Sequence, residues 1–191
     1  MLSKALFAQE INFRHLSVAE GLSQSAVFCI NQDELGYIWV GTADGLNRYN
    51  GYEFIHFRNR PTEPNSISDN FIYCIEPVSN GDLWVGTLGG GLNYYSAQEN
   101  AFKSYMANGS IGSLQHNDIY AVKALDSALL VGTNMGLEVS YDEKTFEYVY
   151  LEDSFFYTPY EILELNNGDV LVAHDKGVSL WSSDSKYLTL P

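Results

Sequence analysis

Tyr37-Ile-Trp-Val-Gly-Thr-Ala-Asp-Gly-Leu-Asn47 is the stretch that decides the fold, because the chain repeats it. A second copy runs Asp82-Leu-Trp-Val-Gly-Thr87 and then Gly91-Leu92-Asn93. A third runs Ala128-Leu-Leu-Val-Gly-Thr133 and then Gly136-Leu137, and a fourth Asp169-Val-Leu-Val-Ala-His174 and then Gly177-Val178. The aligned valines, Val40, Val85, Val131 and Val172, are separated by 45, 46 and 41 residues. That period is the length of one β-propeller blade, a four-stranded antiparallel sheet.

Each repeat divides into four strands. The innermost are expected at Ala26–Asn31, Phe71–Glu76, Asp118–Lys123 and Tyr160–Leu165, all rich in β-branched and aromatic residues. Turns at Glu34-Leu-Gly36, Ser79-Asn80-Gly81 and Asn166-Asn167-Gly168 follow. Asn-Gly accepts positive φ at both central positions and so closes a two-residue hairpin. The Trp-Val-Gly-Thr run forms the second strand. Third strands open near Leu46–Tyr49, Leu92–Tyr95, Leu137–Tyr141 and Val178–Trp181, and outer strands hold Phe54–Phe57, Phe102–Tyr105, Phe146–Val149 and Tyr187–Leu190. No window sustains a 3.6-residue apolar period, so almost no helix is expected.

One such sheet cannot bury both faces alone, whereas stacked blades can, with large residues at fixed positions filling the gaps. Trp39 and Trp84, replaced by Leu130 and Leu171, are read as those fillers. Phe28, Tyr73, Tyr120 and Tyr160 share one register on the innermost strands and are read as core too. Gly41, Gly86 and Gly132 align with Ala173, so that position is expected to demand a small side chain rather than a positive φ.

The 191 residues are one domain's length, 46% hydrophobic and 18% charged, a globular composition. Ten Lys and Arg against 24 Asp and Glu give a net charge of −14, which argues against nucleic acid and anionic lipid as partners. No run approaches the ~20 apolar residues that span a bilayer. Ala5-Leu-Phe-Ala8 before Gln9-Glu10 resembles the end of a secretory signal and its cleavage point, and an ordinary frayed terminus reads equally well.

Two copies carry a more specific signature. Gly21-Leu-Ser-Gln-Ser-Ala-Val27, then Gln32-Asp33, then Gly36 through Gly51, resembles the two-component regulator propeller repeat. Ser66-Ile-Ser-Asp-Asn70 through Asn93-Tyr-Tyr95 resembles it again, while the third copy has lost the Trp and the fourth the Gly-Thr. The resemblance implies the extracytoplasmic, periplasmic sensor region of a bacterial inner-membrane receptor. A Tyr-rich immunoglobulin-like module, a transmembrane helix and a histidine kinase or GGDEF diguanylate cyclase would follow, and carbohydrate fragments are frequent ligands. It also implies that the four blades belong to a larger, seven-bladed propeller.

On this reading residues 1–10 are a residual signal or linker and 11–191 a partial propeller, with blades at about 21–57, 66–105, 113–151 and 157–190. Ile11–Ser17 resembles an outer strand and is surplus, since the fourth repeat already ends in its own. Four blades plus that strand make an open arc, and bared blade faces favour association into a homo-oligomer.

The chain holds no phospho-acceptor His motif, nucleotide loop or GGDEF sequence, so it is expected to catalyse nothing and to need no cofactor. Gly89-Gly90-Gly91 lies between two strands rather than before a helix, so it reads as a turn and not a phosphate cradle. His15, His56, His116 and His174 occupy unrelated positions in the repeat, and no metal site is assigned. The acidic pairs Asp33-Glu34 and Glu152-Asp153 fall in turns, and no Gly-x-Ser-x-Gly elbow occurs. Cys29 and Cys74 share one register on neighbouring inner strands, and Ala121 and Glu161 follow there. Adjacent blades hold them slightly too far apart for a disulfide, so they are read as free, buried thiols in preference to a redox pair.

Candidate recognition residues precede the inner strands: Gln24-Ser25, Asp69-Asn70, His116-Asn117-Asp118 and Tyr157-Thr158. The loops between second and third strands open on the same face and add Asp44, Leu88-Gly89-Gly90, Asn134-Met135 and His174-Asp175-Lys176. Polar groups beside aromatics suit a hydroxyl-rich small molecule or oligosaccharide, although Asn and Asp in such places also cap turns. Two functions compete. One is a ligand sensor joined to further blades and output domains. The other is a non-catalytic scaffold for protein–protein contact or receptor dimerisation. An enzyme is disfavoured, because of the inner-register residues only Glu161 is a carboxylate.

Overall fold

The computed structural model describes residues 12–149, 157–182 and the strand backbone at 188–189. Met1–Ile11, the Glu152-Asp153 pair and parts of the expected fourth outer strand lie outside them. The described residues form four sheets of four antiparallel strands. Blade one is β1 (Val27–Gln32), β2 (Ile38–Thr42), β3 (Gly45–Tyr49) and β4 (Phe54–Phe57). Blade two is β5 (Ile72–Pro77), β6 (Leu83–Thr87), β7 (Leu92–Ser96) and β8 (Ala101–Tyr105). Blade three is β9 (Ile119–Ala124), β10 (Leu129–Thr133), β11 (Gly136–Ser140) and β12 (Glu147–Tyr148). Blade four is β13 (Pro159–Glu164), β14 (Val170–His174), β15 (Gly177–Trp181) and β16 (Leu188–Thr189). Each follows the meander order of a propeller blade, and β1, β5, β9 and β13 pack side by side.

Between β5 and β6 Asn80 at φ 63° and Gly81 at φ 80° take the expected positive φ, but Val78 N–H bonds the Asp82 carbonyl, so the loop holds three residues rather than two. At Asn166-Asn167-Gly168 only the glycine has positive φ. Residues 12–17 make no strand.

Three apolar cores lie between successive blades. Trp39 and Leu46 of blade one pack on Ile72, Ile75 and Leu83 of blade two. Trp84 and Leu92 pack on Ile119, Val122 and Leu129. Leu130 and Leu137 pack on Ile162, Val170 and Val172. Trp39 and Trp84 are 1% exposed, as the filler reading expects. The small-residue position is explained by the same stacking together with the sulfurs of Cys29 and Cys74, which a Cβ at Gly41 or Gly86 would also meet within the blade. A Cβ at Gly41 would stand 2.8 Å from Ile72 Cγ2, one at Gly86 2.7 Å from Ile119 Cγ2, and one at Gly132 2.7 Å from Pro159 Cβ. The first residue of each inner strand thus seats on the glycine of the blade before it.

The two end blades show what a missing neighbour does. Val27 occupies the register of Ile72 and Ile119, yet is 47% exposed while they are fully buried. Val178 occupies the register of Leu46, Leu92 and Leu137 and is 52% exposed against 0% for those three. Among the described residues the blades therefore form an arc with an apolar face bare at each end.

Replacing Trp39 or Trp84 by Ala is predicted to destabilise the chain by about 3–5 kcal/mol, the range for an aromatic removed from a packed core. Urea unfolding reads it, and a loss below about 1 kcal/mol would contradict this packing.

Candidate functional site

The repeated aromatics are not core, and the register explains why. In β1 the pairing with β2 steps from Val27 opposite Thr42 to Cys29 opposite Gly41, so Phe28 is an extra, unpaired residue. Tyr73, Tyr120 and Tyr160 are the extra residues of identical bulges in β5, β9 and β13. A bulge turns its extra side chain out of the pleat. Here it sends each ring away from the inter-blade core to the concave side of the arc. Phe28 is 44% and Tyr160 48% exposed, with Tyr73 and Tyr120 half-buried.

The four rings form a ladder across the blades. Phe28 and Tyr73 stack with centroids 6.0 Å apart, Tyr73 and Tyr120 meet edge to face at 5.1 Å, and Tyr120 and Tyr160 do so at 5.9 Å. They line a cleft of about 620 Å³ on the inner strands. Burial raises the phenol pKa of Tyr73 and Tyr120, so both hydroxyls stay protonated and can donate. Further along the cleft Lys123 Nζ donates to Glu76 Oε1 at 2.7 Å, tying blade three to blade two. Asn31 Nδ2 donates to the Ile75 carbonyl at 3.2 Å.

The expected recognition loops do come together, and much of their polarity is spent on one another. Gly45 N–H donates to the Asn70 carbonyl at 2.7 Å, and Gly89 and Gly91 both donate to the Asn117 carbonyl. The side-chain oxygens of Asn70 and Asn117 accept from the Asn59 and Ala107 amides, each at 2.7 Å. Asp69 caps Phe71 N–H at 2.7 Å, and His116 Nδ1 accepts from Asp118 N–H at 3.0 Å. Asp44 pairs with Arg58 at 3.0 Å. Tyr157 is 2% exposed, its ring 4.6 Å from that of His174. Ser25 and Asn134 remain exposed. The glycine run is a strand-to-strand turn, and a Cβ at Gly90 would stand 2.5 Å from Ser68 Oγ.

A buried polar staple that the sequence reading did not single out anchors these loops. Ser23 N–H donates to Asn47 Oδ1 at 2.9 Å, Asn47 Nδ2 returns a bond to Ser23 Oγ at 2.8 Å, and Ser23 Oγ meets Thr42 Oγ1 at 2.9 Å. Blade two repeats it: Ser68 N–H donates to Asn93 Oδ1 at 3.0 Å and Asn93 Nδ2 to Ser68 Oγ at 2.8 Å. Thr42, Asn47, Thr87 and Asn93 are fully buried. The Leu-Ser, Thr and Gly-Leu-Asn elements were all legible; that they meet was not.

Cys29 and Cys74 are free, and burial pushes the Cys29 thiol up to about 12 and Cys74 well above its ordinary value. Such thiols carry no thiolate at neutral pH. Among the described residues no cluster of His, Cys, Asp and Glu could hold a metal ion, and no helix is long and apolar enough to cross a membrane.

The two component regulator propeller family matches residues 21–44 and 66–89. These are two-component regulator propeller repeats. Over 69 residues, 35% of this chain, the sequence is 46% identical to Histidine kinase P4 of Formosa agariphila and covers 5% of that protein. The fold superposes on the extracellular domain of a protein described as a hybrid two component system, from B. thetaiotaomicron. The TM-score is 0.80 and the identity 25%, over 92% of this chain and 26% of that one. It also superposes on the extracellular domain of a protein described as a one component system, from the same organism. There the TM-score is 0.72 and the identity 19%, over 95% of this chain and 27% of that one. This chain therefore spans about a quarter of the length of those propeller-bearing domains.

The degenerate propeller repeats keep the staple with other atoms. In the fourth, His174 Nε2 meets Ser179 Oγ at 2.9 Å. In the third, Glu138 stands where Asn47 and Asn93 do, fully buried, accepting Gln115 N–H at 3.1 Å. Desolvation raises its pKa from 4.5 to about 7, against the lowering effect of the Gln115 amide and Thr133 hydroxyl. A raised folded-state pKa means that stability present below pH 4.5 is lost as pH climbs through about 7. Glu138→Gln keeps an acceptor for the Gln115 amide and is predicted to abolish that loss. Urea midpoints at about pH 5 and about pH 8 should converge in the variant relative to wild type. An unchanged difference would show that Glu138 does not titrate in this range.

Proposed function

We propose that these blades are part of the extracytoplasmic, ligand-sensing propeller of a bacterial inner-membrane signalling receptor, and that the ligand is a carbohydrate bound along the bulge ladder. The output would be a histidine kinase, which the relative from Formosa agariphila favours, or else a GGDEF cyclase. The observation that carries the reading is the repetition of one bulge in four blades, each presenting an aromatic ring to one cleft. Flat apolar faces stack on sugar rings while tyrosine hydroxyls bond their hydroxyls. Ser25, Asp69, Asn70, His116, Asn117, Asp118, Tyr157, Asp44, Asn134 and His174 surround the rim in this proposal. Ser25 and Asn134 have the exposure to touch ligand, and the rest hold the loops in place.

A thermal-shift screen against oligosaccharides tests it, since a ligand that binds only the folded state raises the midpoint. At least one saccharide should raise it in wild type and not in Tyr73→Ala or Tyr120→Ala. These substitutions remove partly exposed rings and leave the blades intact. A shift that survives both would put the ligand elsewhere, and no shift with any saccharide would favour the scaffold reading.

The scaffold reading rests on the bare end faces at Val27 and Val178, which call for further blades of the same repeat or a second copy of this chain. Light scattering across a dilution series is expected to show association at high concentration that Val27→Asp weakens. A stable monomer at all concentrations would leave only further blades of the parent receptor to cover them.

A further inference from the structure

Although the chain carries 24 acidic residues against ten Lys and Arg, three of its four arginines line one cleft. Arg48 on β3, Arg58 just after β4, and Arg60 in the loop leading to blade two surround a cavity of about 390 Å³, closed on the far side by Asn100 and Phe102 of blade two. Glu63 is the acidic residue of its lining among the described residues, and it is already paired with Arg60 at 3.1 Å. Arg58 is held by Asp44 at 3.0 Å. Both pairs are well exposed to solvent, where such bridges are weak and yield readily to a competing anion.

Arg48 differs from its neighbours, having no carboxylate partner among the described residues. Its guanidinium lies 4.9 Å from the ring centre of Tyr37, 5.6 Å from Trp39 and 5.8 Å from Phe57. Nη1 makes a long bond of 3.5 Å to Tyr95 Oη, and Nε is shut away from solvent with no hydrogen-bond partner. Asp33, behind the same rings, spends both oxygens on Trp39 Nε1 and on the Leu35 and Tyr37 amides. A guanidinium with one nitrogen buried and unpaired, and with no acid beside it, has hydrogen-bonding capacity to spare for an anion. The surrounding rings also fix its plane, so its fork is preorganised for a planar, two-oxygen partner.

We propose that this cleft binds an oxyanion, the carboxylate or sulfate of a small ligand, with Arg48 as the primary contact and Arg58 and Arg60 as flanking cations. The site is separate from the channel ladder, and its success or failure is independent of the carbohydrate reading.

The test is a titration of the whole chain with sodium sulfate and, separately, sodium glucuronate at constant ionic strength, followed by tryptophan fluorescence, since Trp39 stacks beside Arg48. Chloride and glucose are the controls. At least one of the two anions should saturate the signal while glucose and chloride leave it unchanged. Sulfate alone points to a sulfate ester, glucuronate alone to a carboxylate. Arg48→Gln, which removes the guanidinium, should weaken binding by about tenfold or more, and Arg48→Lys, with the charge but not the fork, by less. Arg58→Gln sits at an exposed ion pair and should weaken binding several-fold without touching the rings, so it carries the test if Arg48→Gln fails to unfold cooperatively. A non-saturating response shared with chloride, or an affinity unchanged in a folded Arg48→Gln or Arg58→Gln variant, would overturn the assignment.

Discussion

Blade stacking depends on one contact: the first side chain of one inner strand set against a glycine of the blade before it. Ile72 seats on Gly41, Ile119 on Gly86 and Pro159 on Gly132. A Cβ at those glycines would overlap the incoming side chain, so the blades approach until a side chain of one rests on the bare glycine backbone of the other. That closeness lets Trp39, Trp84 and Leu130 reach across and finish the cores, and no blade could bury its faces without it. The exposure of Val27 and Val178 at the ends is the same rule seen where a partner is missing.

Tight stacking leaves the inner strand edges as the surface on which chemistry can vary. The bulge in each inner strand removes one residue from the ladder and frees it from packing, and in all four blades that residue is aromatic. The loops flanking it are held by a Ser–Asn–Thr staple in blade one and a Ser–Asn staple in blade two, whose serine and asparagine side chains bond one another. Networks of this sort are rigid when complete and costly when broken. They hold the loops fixed and leave the rings free of the inter-blade packing.

The third and fourth repeats show how far such a design tolerates change. Glu138 replaces the staple asparagine and Ser179 and His174 rebuild it with different atoms, yet the strand order and stacking are unaltered. This is why family resemblance concentrates in residues 21–44 and 66–89 although all four sheets are alike.

From the sequence alone, the spacing of Val40, Val85, Val131 and Val172 determined the blade count, the strand order and the tryptophan cores, because a repeat that cannot bury its faces alone must stack. The same periodicity misled for Phe28, Tyr73, Tyr120 and Tyr160. A shared register cannot distinguish a paired strand residue from the extra residue of a bulge, and that choice is made by hydrogen-bond registration with the neighbouring strand. Asn70, Asn117 and Asp44 sit in the loops where the sequence puts them, but whether their polar atoms face a ligand or another loop depends on partners up to a blade away. The arginine cleft was invisible for a like reason: Arg48, Arg58 and Arg60 converge only when β3, β4 and the loop into blade two fold against each other. Periodicity encodes which faces are buried. Tertiary structure decides which surface groups meet, because contacts between strands and loops of different blades leave no regular interval in the chain.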